Sequence, residues 1–265
     1  VTVTVTDRAG NSTTSTPVNS FNVLTDSLLP PQLGTVFTDG LLNKTESTGQ
    51  QTISGQINTS VSNVASVTVS LNNGTPVTAT INSDGTWSLD LSPTVLGALP
   101  DGTTTVVVTV TDKAGNVVTG QGNFDVLTHS LPVAAFNTPF GDGAINFNEI
   151  SANQIITGNT GVTGTGQTIK LSFNGHIYSN VTVGTNGEWS YTLTPADMVG
   201  LKDGDTSTLT VTATDRAGNV SAPVSVDIGV HTNVPAPTVN GLFGGDAILN
   251  IVEAAGPLTL SGSTG

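Results

Sequence analysis

Three copies of one acidic motif, Asp-x-x-x-Asn-x-x-Glu, recur along the chain: Asp39, Asn43 and Glu46; Asp142, Asn146 and Glu149; Asp246, Asn250 and Glu253. Each copy brings two carboxylates and an amide oxygen into eight residues. Hard divalent cations, calcium foremost, take roughly six to eight such oxygens at about 2.3–2.6 Å, so the pattern points to cation ligation. Turn formation alone explains an Asp or Asn, whose side chain accepts nearby amide hydrogens. It leaves a Glu three residues after the Asn without a role, which favours metal for this motif. A second motif, Thr-Asp-Arg/Lys-Ala-Gly-Asn, places Asp7, Asp112 and Asp215 in Gly-containing turns. For these, ligation and a plain Asx turn both stand.

Both motifs keep one beat. The acidic motif advances by 103 and 104 residues, and the Ala-Gly-Asn motif by 105 and 103. A period near 100 residues exceeds the roughly 20–50 of solenoids and matches a small domain. The phase divides the chain into the last strands of a truncated repeat at 1–25, complete repeats at 26–128 and 129–231, and the first part of another at 232–265. The whole protein is therefore expected to be longer.

The elements that must position these motifs are strands. Val106–Thr111 and Leu209–Thr214 show the β-branched, period-two pattern of strands with one buried face. In the first complete repeat this predicts strands at about 32–37, 51–58, 64–71, 75–82, 86–91, 103–111 and 117–127. Turn chemistry separates them at Asn72-Asn73-Gly74, Ser83-Asp84-Gly85, Asp101-Gly102 and Ala114-Gly115-Asn116. Short helical turns are expected only at Ser92–Leu99 and Pro195–Leu201. Seven strands per repeat fit an all-β chain of tandem immunoglobulin-like sandwiches, arranged as an elongated rod. The usual disulfide and third-strand Trp are absent. Trp87 and Trp189 instead open the fifth strand of their repeats and read as core anchors rather than sugar platforms.

Composition narrows the chemistry. With no Cys, bracing falls to the cores or to oxygen-ligated ions. A net charge of −13, from 19 acidic and 6 basic residues, opposes nucleic acid and anionic membranes. Nine of those acidic residues fall in the two repeated motifs, whereas purely solvating charge would be more scattered. Nucleophile elbows, zinc helices and phosphate loops are missing, so an enzyme is not expected.

Proline-bearing linkers at Leu24–Pro31, Leu127–Val133 and Val230–Pro237 read as stiff, with Asp26, His129 and His231 at equivalent positions. In a plain sandwich the Ala-Gly-Asn turn and the acidic motif lie at opposite poles. If the first strand switches sheets early and the motif folds back, Asp39, Glu46 and Asp112 can share an ion beside Asp26. Otherwise each repeat has two sites, one at each pole.

Val-Thr-Asp-Lys-Ala-Gly-Asn at 110–116, Asp-Gly-Ala-Ile-Asn-Phe-Asn-Glu at 142–149 and Asp-Gly-Thr-Trp-Ser at 84–88 carry a resemblance across the entire chain. The sequence resembles the bacterial immunoglobulin-like repeats of giant adhesins exported by type I secretion from Gram-negative bacteria. That resemblance implies an extracellular, calcium-stiffened stalk of a monomeric surface protein with roles in virulence or biofilm. Its contacts would be calcium, neighbouring repeats and, through a distant tip, a host cell or abiotic surface. The alternative expectation is that the repeats themselves bind carbohydrate or a receptor.

Overall fold

The computed structural model describes residues 1–16, 23–25, 27–241 and 247–264. They form two compact units, Val1–Ser130 and Leu131–Gly265. Unit 1 opens with a hairpin, β1 (Thr4–Thr6) and β2 (Ser12–Thr14), closed by the Asp7 turn. The sandwich that follows contains β3 (Gln32–Leu33), β4 (Leu41–Asn43), α1 (Lys44–Ser47), β5 (Gln51–Gln56), β6 (Val64–Leu71), β7 (Val77–Thr78), β8 (Thr80–Ile81), β9 (Thr86–Leu91), α2 (Pro93–Gly97), β10 (Gly102–Asp112) and β11 (Val117–Leu127). One sheet runs β3-β5-β9-β8 and the other β4-β11-β10-β6-β7.

Unit 2 repeats the plan with β12 (Ala135–Phe136), β13 (Ala144–Asn146), β14 (Gln154–Asn159), β15 (Thr168–Phe173), β16 (His176–Tyr178), β17 (Thr182–Val183), β18 (Glu188–Leu193), β19 (Thr206–Thr214) and β20 (Val224–His231). Its sheets are β12-β14-β18-β17 and β13-β20-β19-β15-β16. A further pair, β21 (Thr238–Val239) with β22 (Gly262–Ser263), follows. The fold is that of tandem immunoglobulin-like sandwiches.

Two expected strands are split, and for one reason. The 32–37 strand ends at Leu33, and the chain crosses to the opposite sheet, where Leu41–Asn43 pairs parallel to Asp125–Leu127. The 75–82 strand likewise pairs first with β6 and then, past buried Ala79, with β9. A strand at a sheet's edge lacks a second neighbour, so a short segment there can change sheets without breaking a ladder on both sides. The first crossover turns through Phe37 and Thr38, at φ 49° and 64°. Phe37 buries its ring edge-on against Phe124, with centroids 4.9 Å apart. In unit 2 the crossover uses Phe140 and Gly141, at φ 54° and 81°. Left-handed backbone costs roughly 1–2 kcal/mol at a non-glycine residue, comparable with what burying the Phe ring contributes.

Each core fills the space between its sheets. Leu42, Ile53, Val67, Trp87, Leu96 and Val106 are wholly buried in unit 1, and Ile145, Leu171, Leu193 and Leu209 in unit 2. All but Leu96, which caps the core from α2, occupy inward strand positions, as the period-two pattern requires. Glycine is needed where the first strand crosses over the Trp: a Cβ on Gly55 would lie 1.9 Å from the Gln32 carbonyl, and one on Gly158 1.9 Å from that of Ala135.

Candidate cation sites and the linker clasp

The Asn and Glu of the acidic motif make a reciprocal cap. Asn43 is the N-cap of α1: the Glu46 amide donates to its Oδ1 at 2.8 Å, and the Asn43 amide donates to Glu46 Oε2 at 3.0 Å. The same exchange links Asn146 with Glu149, at 2.9 and 3.0 Å, and Asn250 with Glu253, both at 3.0 Å. A Glu three residues past an Asn therefore has a turn-forming role, contrary to the expectation from sequence. It satisfies an amide that the start of a helical turn would leave unpaired. Asp39 and Asp142 also make short turns, accepting from the amides of Leu41 and Ala144 at 2.9 Å.

The Ala-Gly-Asn turns are built on their Asp. Asp112 Oδ1 accepts the amides of Ala114 and Asn116 at 2.9 and 2.8 Å, and Oδ2 accepts Asn116 Nδ2 at 2.8 Å. Asp215 and Asp7 do the same with Ala217 and Asn219, and with Ala9 and Asn11. The side-chain hydrogen bond from Asn116 leads in holding the Asp112 carboxyl below the usual carboxylate range, and that from Asn11 does so for Asp7. Asp112 and Asp215 are buried, 4% and 5% exposed, whereas Asp39 and Asp142 are exposed.

Register separates the two motifs. Because β4 runs parallel to β11, Asn43 lies opposite Leu127, at the end of β11 where the chain leaves the sandwich. The Asp112 turn instead precedes Val117, the first residue of β11. Ten strand residues at ~3.3 Å each set them about 33 Å apart. The first strand does switch sheets early, but its motif runs on toward the exit instead of folding back, so Asp39 and Glu46 cannot share an ion with Asp112. Unit 2 has the same order, with Asn146 opposite His231 and the Asp215 turn at the far end.

The donor chemistry at Asp39, Asn43 and Glu46 and its counterparts, carboxylate and amide oxygens on turns, suits a hard cation. Among the described residues, however, no three His, Cys, Asp or Glu side chains gather into a group able to hold a metal ion. Asp26 and Asp246 lie outside the described residues.

A further acidic residue at the exit pole of each sandwich, Asp101 in unit 1 and Asp203 in unit 2, went unrecognised in the sequence. Asp101 Oδ1 accepts the amides of Thr128 and His129 at 2.8 and 3.0 Å, and its Oδ2 that of Ser130 at 2.6 Å. His129 Nδ1 stands 3.3 Å from the same carboxylate. Partial burial acts to raise the pKa, but the amides of Thr128, Ser130 and His129 outweigh it and hold the Asp101 carboxyl well below the usual range. In unit 2, Asp203 accepts the amides of Thr232 and Asn233 at 2.8 and 2.9 Å. Each is a clasp that fixes the chain as it leaves its sandwich. The only signal in the sequence was that Asp101-Gly102 and Asp203-Gly204 are 102 residues apart, which reads as turn chemistry alone.

The same contacts correct the linker alignment. His231 closes β20 opposite Asn146 and so corresponds to Leu127 opposite Asn43, while His129 corresponds to Asn233. The two tryptophans are core residues, 0% and 2% exposed, so neither offers a stacking platform.

The family description Bacterial Ig-like domain matches residues 37–128, and Bacterial Ig domain matches residues 148–228. No curated protein matches the chain. Among solved structures, a Ca2+-stabilized adhesin that helps an Antarctic bacterium reach out and bind ice is 30% identical over all of this chain, with a TM-score of 0.44. The chain spans 64% of that structure. A 1.5-MDa bacterial ice-binding adhesin is 28% identical over 90% of this chain and 78% of its own, with a TM-score of 0.45. A bacterial immunoglobulin-like domain from the M. primoryensis ice-binding adhesin is 28% identical over 38% of this chain and all of its own, with a TM-score of 0.31. With bacterial immunoglobulin-like domains matched over more than half of its length, the chain belongs to that family, as tandem repeats.

Proposed function

We propose that the chain is part of the stalk of a giant adhesin on the bacterial cell surface, exported by type I secretion. In this reading, calcium at and near the domain junctions stiffens an elongated, monomeric rod that projects a distal adhesive tip toward a host cell or another surface. The repeats run 26–128 and 129–231, flanked by parts of two more. The observation that carries the proposal is recurrence: both complete sandwiches place the same capped acidic turn and the same Asp clasp beside the chain's exit. Family membership supports it, as does the description of a similar adhesin as Ca2+-stabilized.

The proposed ligands are Asp39, Asn43 and Glu46 and then Asp142, Asn146 and Glu149 at the exit pole of each sandwich, and Asp246, Asn250 and Glu253 in the repeat that follows. Asp26 is the proposed linker ligand, and Asp7, Asp112 and Asp215 the proposed ligands at the other pole. Two carboxylates per motif do not complete a calcium shell, so backbone carbonyls and water supply the remainder. An ion outside the cell at a hundredfold excess over its Kd would stabilise the folded repeat by about 2.7 kcal/mol per site.

The test is thermal unfolding and small-angle scattering of the chain with calcium and with chelator. A higher Tm and a longer particle with calcium support the proposal. Because Glu149 also caps a turn, the informative variant is Asp142→Asn with Glu149→Gln, which keeps the hydrogen-bond acceptors and removes the charge; it should lose part of the gain. No calcium effect on either signal sinks the ion's role.

A further inference from the structure

Between the β6–β7 hairpin and the β9–α2 segment, unit 1 holds a cleft of about 360 Å³. Its walls are aliphatic: Val69, Leu71, Val77, Leu89, Val95 and Leu99. Val69, Leu89 and Leu99 form its floor, 1%, 9% and 8% exposed, while Val77 and Val95 stand at the rim, 52% and 43% exposed. Two polar groups beside it are engaged within the sandwich: Asp90 Oδ1 accepts from the Thr52 hydroxyl at 2.6 Å, and Ser92 caps α2.

Unit 2 shows what fills this place. Val77 pairs with Val69, and at the matching register Tyr178 pairs with Leu171. Leu89 and Tyr191 each lie two residues after the buried Trp, and Val95 and Asp197 each lie eight after it. The two Tyr rings lie against each other with centroids 4.7 Å apart, and the Tyr178 hydroxyl donates to Asp197 Oδ1 at 2.9 Å. Unit 1 therefore lacks both rings and the hydrogen-bonding carboxylate at a position where the same fold accommodates them.

We infer that this cleft of unit 1 binds a small apolar molecule through a single aromatic ring, seated where unit 2 carries its own Tyr rings. The volume lies in the range of small-molecule sites, and a lining made mostly of aliphatic side chains favours a ring over water. With Val95 in place of Asp197, the carboxylate that holds the Tyr178 hydroxyl in unit 2 has no counterpart, so the site favours an unsubstituted or alkyl-substituted ring. This gives unit 1 a binding capacity that unit 2 does not share.

The probe is toluene, titrated against the full chain with methyl groups observed by NMR. Saturable shifts are expected at the methyls of Val69, Val77, Leu89 and Leu99, at about millimolar toluene, with phenol weaker. Val77→Tyr, a change at a half-exposed rim position that leaves the core intact, should abolish them. The paired change Tyr178→Val with Tyr191→Leu should create matching shifts at Leu171 in unit 2. Unsaturable or scattered shifts in the wild type, or full binding by Val77→Tyr, would overturn the inference.

Discussion

Asp101→Ala tests whether one carboxylate fastens the chain's exit from unit 1. The Asp101 side chain is 24% exposed and receives three successive amides. A hydrogen bond to a charged group contributes roughly 1.5–3 kcal/mol net. Of the three donors only Thr128 is buried, at 2% exposure, so only its amide is left unpaired away from water in the variant. The amides of exposed His129 and Ser130 recover solvent. The expected loss is therefore one full charged hydrogen bond plus a screened remainder, about 2 kcal/mol at pH 7. Urea denaturation followed by Trp87 fluorescence measures it, in a Trp189→Phe background so that unit 1 alone reports. The pH dependence carries the sign. A carboxyl whose pKa is depressed by folding gives up a proton more readily in the native state, so its stabilisation is complete above the unfolded value near ~3.9 and fades as pH falls from there toward the native pKa. The gap between wild type and Asp101→Ala should thus be full at pH 7, shrink below about pH 4 and be small by about pH 2. An equal gap at both ends of that range would mean that shape rather than charge matters. No gap at pH 7 would refute the clasp itself.

Asp215→Ala removes the acceptor of two backbone amides and of Asn219 Nδ2 inside a buried turn, and should cost unit 2 about 3 kcal/mol in chemical denaturation. Thr38→Gly relieves a β-branched residue at φ 64°; set against the greater chain entropy of glycine, it should gain about 0.5–1 kcal/mol, and Gly141→Thr in unit 2 should lose a similar amount. Gly158→Ala would bring a methyl to 1.9 Å from the Ala135 carbonyl and 2.5 Å from the Trp189 ring. It should cost about 2–3 kcal/mol and shift Trp189 emission to the red as β12 is pushed away.

Strands and turns were legible because they depend on neighbours in the chain. Period-two Val and Thr mark one buried face, and Asn72-Asn73 or Asn174-Gly175 select a tight hairpin through positive φ, here 48° and 57° and then 50° and 78°. The repeat itself, and the burial of Trp87 and Trp189, followed from spacing and composition. Two long edge strands were misjudged because alternation reports that a strand exists and not which sheet receives it. At an edge that choice turns on buried anchors such as Phe37 and Ala79, which meet partners distant in sequence.

The acidic residues divide along the same line. Sequence by itself determined that they recur in register and that oxygen donors cluster at turns. The cap of Asn43 with Glu46 is local to one turn, whereas tertiary structure alone decided that the parallel pairing of β4 with β11 carries this cap to the opposite pole from Asp112, and that Asp101 holds Thr128 to Ser130. The physical reason is that a carboxylate's role is set by which donors converge on it: Glu46 meets an amide three residues away, within one turn, whereas Asp101 meets the amides of Thr128 to Ser130, which only the pairing of β10 with β11 brings near.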